Sequence, residues 1–355
     1  MSANVHRTAQ TERKRPWLCF GIAFSLIFFA FFLVLSVTTP LLDPIRRHFS
    51  SPVSFPIAEG ALAVSGDRLV CAGENALWLY ASDGTGTEYP ADFSAPRFPS
   101  DGKQLLVFDA DGTTYARLSE GDEPVLSDAE GTLFDADVAE RGEYALLLDT
   151  VDYRAVLEVR DAEGALRFRH RSKTAFLNTC ALSPDASLVA ATALGQREAE
   201  FESRLLLFSC DSDGEPTAWT LEDVPYACGF LSESTLFVFG SAGVSVYRTD
   251  GALLQSLPEA RLLAAGDGLL LADEDGTVQV LDVDGTLRAA ASADGEPIGG
   301  ALCGEYLVLQ FDDSLRVFTR DLLPCGQTDG AAAFSLCSDG TVWCSNDLTV
   351  TRYIP

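Results

Sequence analysis

The sequence predicts an all-β fold that follows a single N-terminal transmembrane helix. Three observations lead to this expectation: an uncharged apolar run near the N-terminus, eleven Asp-Gly pairs in the rest of the chain, and strand-like stretches that recur between them. Beyond residue 50, the apolar residues lack the spacing of an amphipathic helix of useful length. The chain is therefore expected to contain one membrane helix followed by strands.

The apolar run extends from Leu18 to Val37 without a charged residue. A helix crosses the hydrocarbon core with about 20 apolar residues, so the run predicts one crossing. The basic residues before the run are Arg7, Arg13, Lys14 and Arg15, and those after it are Arg46 and Arg47. This bias keeps the N-terminus in the cytoplasm. The predicted order is a cytoplasmic tail (1–16), a signal anchor (17–42), a linker (43–51) and an extracytoplasmic domain (52–355).

A cleaved signal peptide is the alternative for the same run. Its apolar core is usually only about 7 to 15 residues long and ends at a site with small residues. The run here is longer, and the segment TTPLLDPIRR that follows offers no such site. A retained anchor in the cell membrane is therefore the favoured interpretation.

The charge of the chain is strongly acidic and uneven. The formal net charge is −27, and residues 51–355 carry 19 basic and 50 acidic residues, a net charge of −31. Such a field repels polyanions. Nucleic acid and anionic membrane surfaces are excluded as partners of the outer domain.

Asp-Gly pairs divide the outer domain into short apolar stretches. They begin at Asp83, Asp101, Asp111, Asp213, Asp250, Asp267, Asp275, Asp284, Asp294, Asp329 and Asp339. Asp-Gly between alternating apolar stretches is typical of a β-hairpin with a type I′ turn, in which both central residues have φ > 0. The outer domain is therefore expected to be a chain of hairpins.

The hairpins recur as eight units. Their first turns fall near Gly66, Asp101, Gly142, Asp185, Glu233, Asp267, Gly304 and Asp339, at intervals of 34 to 48 residues. Repeats of about 40 residues with four strands each are typical of β-propeller blades. Eight blades are predicted, or seven if the irregular third unit is an insertion. The spare strand at 52–59 is expected to join the last blade and close the ring, which hides two sheet edges.

Several segments carry a family resemblance. FPSDGKQLLVFDADGT (98–113) and LSPDASLVAA (182–191) resemble WD40-like bacterial propellers, and VQVLDVDGTLRAAAS (278–292) and LEVRDAEGALRFRH (157–170) resemble quinoprotein-type blades. The chain also resembles uncharacterised single-pass, membrane-anchored surface propellers. The repeated Gly-His and Trp-Asp pairs of true WD40 repeats are missing. The resemblance implies an architecture, because these motifs encode turns and packing.

Catalytic chemistry has little support in the sequence. The chain has three histidines, of which His170 alone lies within the outer domain. Motifs of hydrolases, metalloproteases and nucleotide-binding proteins do not occur. No catalytic residue, metal ligand or cofactor is predicted. A carboxylate-dependent glycan hydrolase remains the alternative because it needs only two acidic residues.

Two other residue patterns allow more than one interpretation. Turns such as DADGT (109–113) and DVDGT (282–286) share the start of a calcium loop but lack its remaining ligands, so hairpin turns are favoured. The eight outer cysteines are interpreted as buried thiols, with Cys337–Cys344 and Cys71–Cys344 as the disulfides to test. The eight are Cys71, Cys180, Cys210, Cys228, Cys303, Cys325, Cys337 and Cys344.

A basic cluster interrupts the acidic domain. It comprises Arg154, Arg160, Arg167, Arg169, Arg171 and Lys173. Strand alternation would put Arg167, Arg169 and Arg171 on one face and Phe168 and His170 on the other. Three guanidinium groups in a row suit carboxylates or phosphates. The alternative is an outermost strand that its charges protect against edge pairing.

The long hairpin ALGQREAEFESRL at 193–205, which contains Arg197, is a second candidate surface. Insertions in repeat proteins often form the binding face. The predicted contact residues are Arg154, Arg167, Arg169, Arg171, Lys173 and Arg197. Together these features predict a membrane-anchored, non-enzymatic binding or scaffolding module for a protein, peptide or cell-envelope polymer.

Overall fold

The computed structural model describes residues 50–197, 200–212, 214–331, 333–346 and 348–354. These residues form 32 strands in eight four-stranded antiparallel sheets. The prediction of an eight-bladed all-β propeller is confirmed. In the described part of the chain, no helix has the length and apolar character needed to cross a bilayer. The predicted tail (1–16) and anchor (17–42) lie outside the described residues.

Blades 1 to 4 follow one another along the chain. Blade 1 has β2 (Ala61–Ser65), β3 (Arg68–Ala72), β4 (Ala76–Tyr80) and β5 (Gly86–Pro90); blade 2 has β6 (Pro96–Arg97), β7 (Gln104–Asp109), β8 (Thr114–Ser119) and β9 (Val125–Asp128); blade 3 has β10 (Thr132–Val138), β11 (Tyr144–Thr150), β12 (Tyr153–Arg160) and β13 (Leu166–Ser172); and blade 4 has β14 (Phe176–Leu182), β15 (Leu188–Arg197), β16 (Glu200–Ser209) and β17 (Thr217–Leu221).

Blades 5 to 8 continue the order. Blade 5 has β18 (Pro225–Ser232), β19 (Thr235–Gly240), β20 (Gly243–Arg248) and β21 (Leu253–Pro258); blade 6 has β22 (Arg261–Gly266), β23 (Gly268–Ala272), β24 (Thr277–Leu281) and β25 (Leu287–Ser292); blade 7 has β26 (Gly299–Cys303), β27 (Tyr306–Gln310), β28 (Ser314–Thr319) and β29 (Pro324–Asp329); and blade 8 has β30 (Ala333–Leu336), β31 (Val342–Asn346), β32 (Thr349–Ile354) and β1 (Ser50–Pro56).

The last blade contains both ends of the described chain. β1 lies outermost and pairs with β32, with Phe55 opposite Val350 and Ser54 opposite Thr351. β1 begins at Ser50, two residues before the predicted start of the outer domain at 52. Phe55 packs against Tyr80 of blade 1 and Trp343 of blade 8, each at 5.8 Å between ring centroids. The first strand thus joins the last blade to the first.

The hydrophobic cores lie between neighbouring blades. Eight clusters of buried residues occur in the described part of the chain, and each is shared by two adjacent blades around the ring. The second strands are buried on both faces, as in Leu269–Ala272, whereas outermost strands such as Leu287–Ser292 are largely exposed. Each blade therefore depends on both neighbours for the burial of its apolar side chains.

The hairpin turns differ from the type I′ geometry that the sequence predicts. Among the described Asp-Gly pairs, none has φ > 0 at both residues; Gly84, for example, has a φ of 86° but Asp83 does not have a positive φ. Ala81 N–H donates to the Thr85 carbonyl, and Gly84 N–H donates to the Ala81 carbonyl, both at 2.9 Å. These bonds indicate a three-residue loop in which a type I turn precedes a left-handed glycine. The aspartate stabilises the turn by accepting the Thr85 N–H at 2.9 Å.

Candidate functional site

The innermost strands surround a central channel with a cavity of about 1510 Å³. We call the end with the turns between first and second strands the lower face. The upper face carries the turns between second and third strands and the connections between blades. Phe176 and Tyr226 line the upper mouth, while Asp101 and Asp339 line the lower mouth. The two mouths therefore differ in chemistry.

The lower mouth is acidic because the first turns of the blades carry most of the carboxylates that line it. These residues are Asp67, Asp101, Glu120, Glu140, Glu233, Asp267 and Asp339, against the cations Lys103 and Arg352. A cleft with one sign of charge focuses its field. The lower mouth thus attracts cations and repels anions.

Two carboxylates inside the channel connect blade 3 to blade 4. Asp135 Oδ2 accepts the N–H of Cys180 at 2.9 Å, and Asp137 Oδ2 accepts the N–H of Leu182 at 2.8 Å. Both carboxylates belong to β10, and both N–H groups belong to β14, the innermost strand of the next blade. An innermost strand has one edge without a partner strand, so the carboxylates satisfy N–H groups that would otherwise lack acceptors.

Burial changes the acidity of both groups. Desolvation raises the pKa of Asp135 to about 6, and the hydrogen bonds from Cys180 and Ala136 and the charge of Arg97 oppose the rise. Desolvation raises the pKa of Asp137 to about 7 against the hydrogen bonds from Leu182 and Val138, and nearby Asp135 and Asp101 add to the rise. These two acids therefore titrate closer to neutral pH than ordinary aspartates.

Neutral polar groups make the corresponding junction between blades 4 and 5. Asn178 Nδ2 donates to the Pro225 carbonyl at 2.8 Å, and Thr192 Oγ1 donates to Asn178 Oδ1 at 2.7 Å. The Thr179 hydroxyl lies 2.8 Å from that of Thr192 and 3.2 Å from the Cys228 sulfur. At two successive junctions, side chains thus satisfy backbone N–H and carbonyl groups of the innermost strands.

The cysteines of the channel wall are thiols. Cys180, Cys228, Cys303 and Cys337 line the cavity, and desolvation raises their pKa, for Cys228 and Cys337 to about 12. Thiols in this state are poor nucleophiles at neutral pH. All eight outer cysteines are free, including those of the two disulfides suggested from the sequence. Cys71 packs in the core between blades 8 and 1, whereas Cys344 packs in the core between blades 7 and 8.

The acidic turns use their carboxylates for their own hydrogen bonds. Asp109 Oδ1 accepts the Ala95 N–H at 2.6 Å, and Asp284 Oδ1 accepts the Thr286 N–H at 2.9 Å. Over the described ranges, no three His, Cys, Asp or Glu side chains are grouped to hold a metal ion. The turns are thus accounted for as hairpin turns.

The basic cluster divides into two groups, and the first contains Arg160, which pairs with Glu158 at 2.7 Å, as well as Arg167 and Arg169. Arg167 and Arg169 lie on β13, the outermost strand of blade 3, and both are paired with acids. Arg167 contacts Asp211 at 2.8 Å and Glu143 at 3.8 Å, and Arg169 contacts buried Glu158 at 2.5 Å and Glu130 at 3.3 Å. Their charges are used within the fold.

The other face of this strand is apolar, as the alternation predicts. The rings of Phe168 and His170 lie 5.5 Å and 4.6 Å from the ring of Phe208 in blade 4. Desolvation also lowers the pKa of His170. The histidine is therefore part of the packing between blades 3 and 4.

The second group of cations lies at the upper face and stacks on aromatic rings. Arg154 lies 4.9 Å from the ring centroid of Phe176, and both Arg171 and Lys173 lie over Tyr153, at 5.6 Å and 5.4 Å. Among the described residues, none of these three cations forms an ion pair with a carboxylate within 4.0 Å. Tyr153 packs against the core between blades 2 and 3, whereas Phe176 belongs to blade 4, so Arg171 and Lys173 lie on one side of blade 3 and Arg154 lies on the other.

Exposed apolar side chains also lie on upper-face segments of blades 3, 4 and 5, and sequence reasoning missed them. Val151 is fully exposed, Phe201 is 95% exposed, Tyr226 55% and Phe176 49%. Phe201 lies on the long hairpin of β15 and β16, opposite Gln196. The backbone of Arg197 ends β15, but its side chain lies outside the described residues. The sequence signal that could have identified them is the presence of large apolar residues next to turns.

We call the upper-face side chains of blades 3 to 5 the upper surface. Its members are Val151, Tyr153, Arg154, Arg171, Lys173, Phe176, Phe201 and Tyr226.

Two solved structures share the architecture. The C-terminal WD40 domain of Sif2 matches with a TM-score of 0.55 and 11% identity, over 85% of this chain and 99% of that chain. BamB from Moraxella catarrhalis matches with a TM-score of 0.54 and 13% identity, over 85% of this chain and 98% of that chain. These likenesses confirm the WD40-like fold, and at such identity they show the fold alone.

Sequence comparisons place the chain more narrowly. No curated protein matches it. A family model matches residues 63–259, from the first blade through the fifth and including every residue of the upper surface. The chain therefore belongs to the family of unknown function DUF5711.

Proposed function

We propose that the protein is a membrane-anchored, extracytoplasmic propeller that acts as a non-enzymatic binding or scaffolding module for a protein, peptide or cell-envelope polymer. The upper surface is the observation that carries this proposal. Its apolar members come from neighbouring upper-face segments of blades 3, 4 and 5. Soluble surfaces seldom gather large apolar side chains in this way without an interaction to cover them.

The position of the upper surface supports a binding role. β1 enters the propeller at Ser50, opposite Ile354, and reaches the upper face at Pro56, opposite Thr349. The chain therefore enters the propeller from the lower side. The upper surface lies at the other side of the ring from Ser50.

The membrane location is proposed from the sequence. The run from Leu18 to Val37 has the length of one crossing, and the basic residues are concentrated before it. Protease treatment of intact cells tests this location. We expect the protease to digest the propeller on intact cells and to leave the N-terminal tail undigested. Protection of both parts until the cells are lysed would refute an extracytoplasmic propeller.

A photo-crosslinking experiment tests the binding role. A benzoylphenylalanine residue would replace Phe201 in the full chain within its native cells, and a matched control would replace Leu323, which is 61% exposed at the lower face. We expect a discrete crosslinked product from position 201 and none from position 323. Equal crosslinking from both positions, or none from position 201, would contradict a partner on the upper surface.

A carboxylate-dependent glycan hydrolase is the second candidate, because Asp135 and Asp137 line the channel with raised pKa values. Residues two apart on a strand have Cα atoms about 6.6 Å apart and present their side chains on one face, so the two carboxylates could act as a pair, as glycosidases require. Incubation of the protein with native envelope glycans would test this activity. Release of reducing ends that the Asp137→Asn variant abolishes would favour the hydrolase over the binding module.

A further inference from the structure

The cations of the upper surface are unusual in this molecule. Residues 51–355 carry a net charge of −31, and three blade 3 arginines, Arg160, Arg167 and Arg169, are paired with carboxylates. Arg171 and Lys173 are both exposed and share one aromatic ring, that of Tyr153. Two like charges on one ring repel each other unless an anion lies nearby. Among the described residues, Arg154, Arg171 and Lys173 therefore lack a carboxylate partner within 4.0 Å.

Stacking prepares these cations for an anion. A guanidinium over an aromatic face is held in place by the ring, while its edge keeps N–H donors directed away from the stack. Arg154 is held in this way by Phe176, a ring that also lines the upper mouth of the channel. Planar donors of this kind suit carboxylates, which they bind with two parallel hydrogen bonds.

The apolar members of the upper surface indicate the kind of anion. Phe201 and Val151 project almost completely into solvent on either side of the cations along the chain, and Tyr226 lies near the start of the innermost strand of blade 5, the neighbour of blade 4. A small inorganic anion would leave these side chains uncovered. A polypeptide segment with both acidic and apolar side chains would cover them and pair with the cations.

We propose that the upper surface docks an acidic segment of a partner protein, whose carboxylates pair with Arg154, Arg171 and Lys173 and whose apolar side chains pack on Phe176, Phe201 and Tyr226. This inference rests on the proposed binding function and names the class of partner. The acidic lower mouth repels the same segment, so the two faces differ in selectivity. The segment is thereby directed to one side of the ring.

Peptide selection tests this proposal. The full chain, purified in detergent, would be used to select binders from a random 12-residue phage library, and selected peptides would be measured by fluorescence anisotropy. We expect the selected peptides to be net acidic with aromatic or aliphatic residues. The double variant Arg171→Ser, Lys173→Ser should weaken their binding at least tenfold, because two charge-assisted contacts are lost.

A matched control removes the same charge from the opposite face. Lys103 and Arg141 are exposed in lower-face turns, so the double variant Lys103→Ser, Arg141→Ser should leave the affinity within about twofold of the original. Circular dichroism would verify that both double variants are folded. An equal loss in both variants would overturn the proposal, because it would reflect net charge alone.

The remaining outcomes are equally decisive. Selected peptides that are neutral or basic would overturn the acidic segment but leave the binding module intact. In another outcome, inorganic polyphosphate binds, its binding depends on Arg171 and Lys173, and no acidic peptide binds. This result would overturn the proposed protein segment and indicate a polyanionic polymer as the partner. Failure to select any peptide would overturn the proposal of an acidic segment. The proposed binding function would fail as well only if position 201 also gave no crosslinked product.

Discussion

At the scale of single residues, most polar groups of the propeller can be assigned to its internal contacts. Glu158 is 1% exposed on β12 and accepts hydrogen bonds from Arg160 at 2.7 Å and 3.0 Å, and Arg169 lies 2.5 Å from its other oxygen. A buried carboxylate between two guanidinium groups is costly to break because the charges that remain lose their partner. The same pairing removes Arg169 from the candidate binding residues.

The Glu158→Gln variant should lower the free energy of unfolding by about 3 kcal/mol, the usual cost of breaking a buried ion pair. Urea denaturation monitored by tryptophan fluorescence would measure the change. The control Glu140→Gln, at an exposed lower-face position, should change the free energy by less than about 0.5 kcal/mol. Similar effects of the two substitutions would show that the Glu158 pairs contribute little.

The raised pKa of Asp137 predicts how stability depends on pH. The folded state binds the proton more tightly than the unfolded state, so the contribution of Asp137 to stability is greatest below its unfolded pKa of about 4 and decreases as the pH rises through about 7. Asp137→Asn should remove this decrease, which is at most about 4 kcal/mol at about 1.4 kcal/mol for each unit of pKa. Urea titrations at pH 4 to 8 would measure it.

The matched control for this titration is Asp185→Asn. The pKa of Asp185 is lowered by hydrogen bonds from Ser187 and Ser183 against a desolvation that raises it, so its contribution is lost only as the pH falls below about 4. The lowered pKa of His170 gives an opposite slope below its ordinary pKa of about 6.5, and both variants retain this slope. If the control alters the slope between pH 4 and 7 as much as Asp137→Asn does, the assignment to Asp137 is wrong.

At the scale of elements, the first strand holds the ring together. Phe55 is 8% exposed, and its ring lies between Tyr80 of blade 1 and Trp343 of blade 8. Phe55→Ala would leave a cavity at this junction and should destabilise the fold by about 3 to 4 kcal/mol. Thermal unfolding would show the loss. Val53→Ala on the same strand is the control, because Val53 is 46% exposed and should cost less than about 1 kcal/mol. Equal losses of stability in the two variants would show that the Phe55 side chain does not stabilise the junction between blades 8 and 1.

The hairpins show what could be predicted from the sequence and what could not. All eight first turns fall in the gaps between first and second strands, near Gly66, Asp185 and Glu233 among others, because turn residues and strand alternation are local features. The turn type could not be predicted, since Asp-Gly suits both the two-residue and the three-residue loop. The choice depends on the strand register that the whole blade imposes.

The candidate site was only partly predictable for a related reason. The sequence groups Arg154, Arg167, Arg169, Arg171 and Lys173 within twenty positions, but their partners come from elsewhere in the chain. Asp211 and Glu130 neutralise Arg167 and Arg169 from blade 4 and from the connection before blade 3. The cations that remain at the upper face could be distinguished only after the ring had been built.

At the scale of the whole molecule, the acidic charge acts on stability. The 50 acidic and 19 basic residues of 51–355 repel one another on balance, and salt screens this repulsion over a Debye length of about 10 Å at 0.1 M. The melting temperature should therefore rise by a few degrees between low salt and 0.5 M NaCl. Choline chloride at equal ionic strength should raise the melting temperature by the same amount, because screening depends on ionic strength. A fall in the melting temperature would indicate that surface ion pairs outweigh the net repulsion.

The shared last blade also has a consequence for protein synthesis. Strand β1 is among the first parts of the propeller to leave the ribosome, yet its partner β32 ends at Ile354 and is made last. Until the eighth blade has been synthesised, the early strand has no neighbour with which to pair. A ribosome that stalls after the seventh blade would release a chain with two open edges, which quality-control proteases can recognise by the exposed backbone.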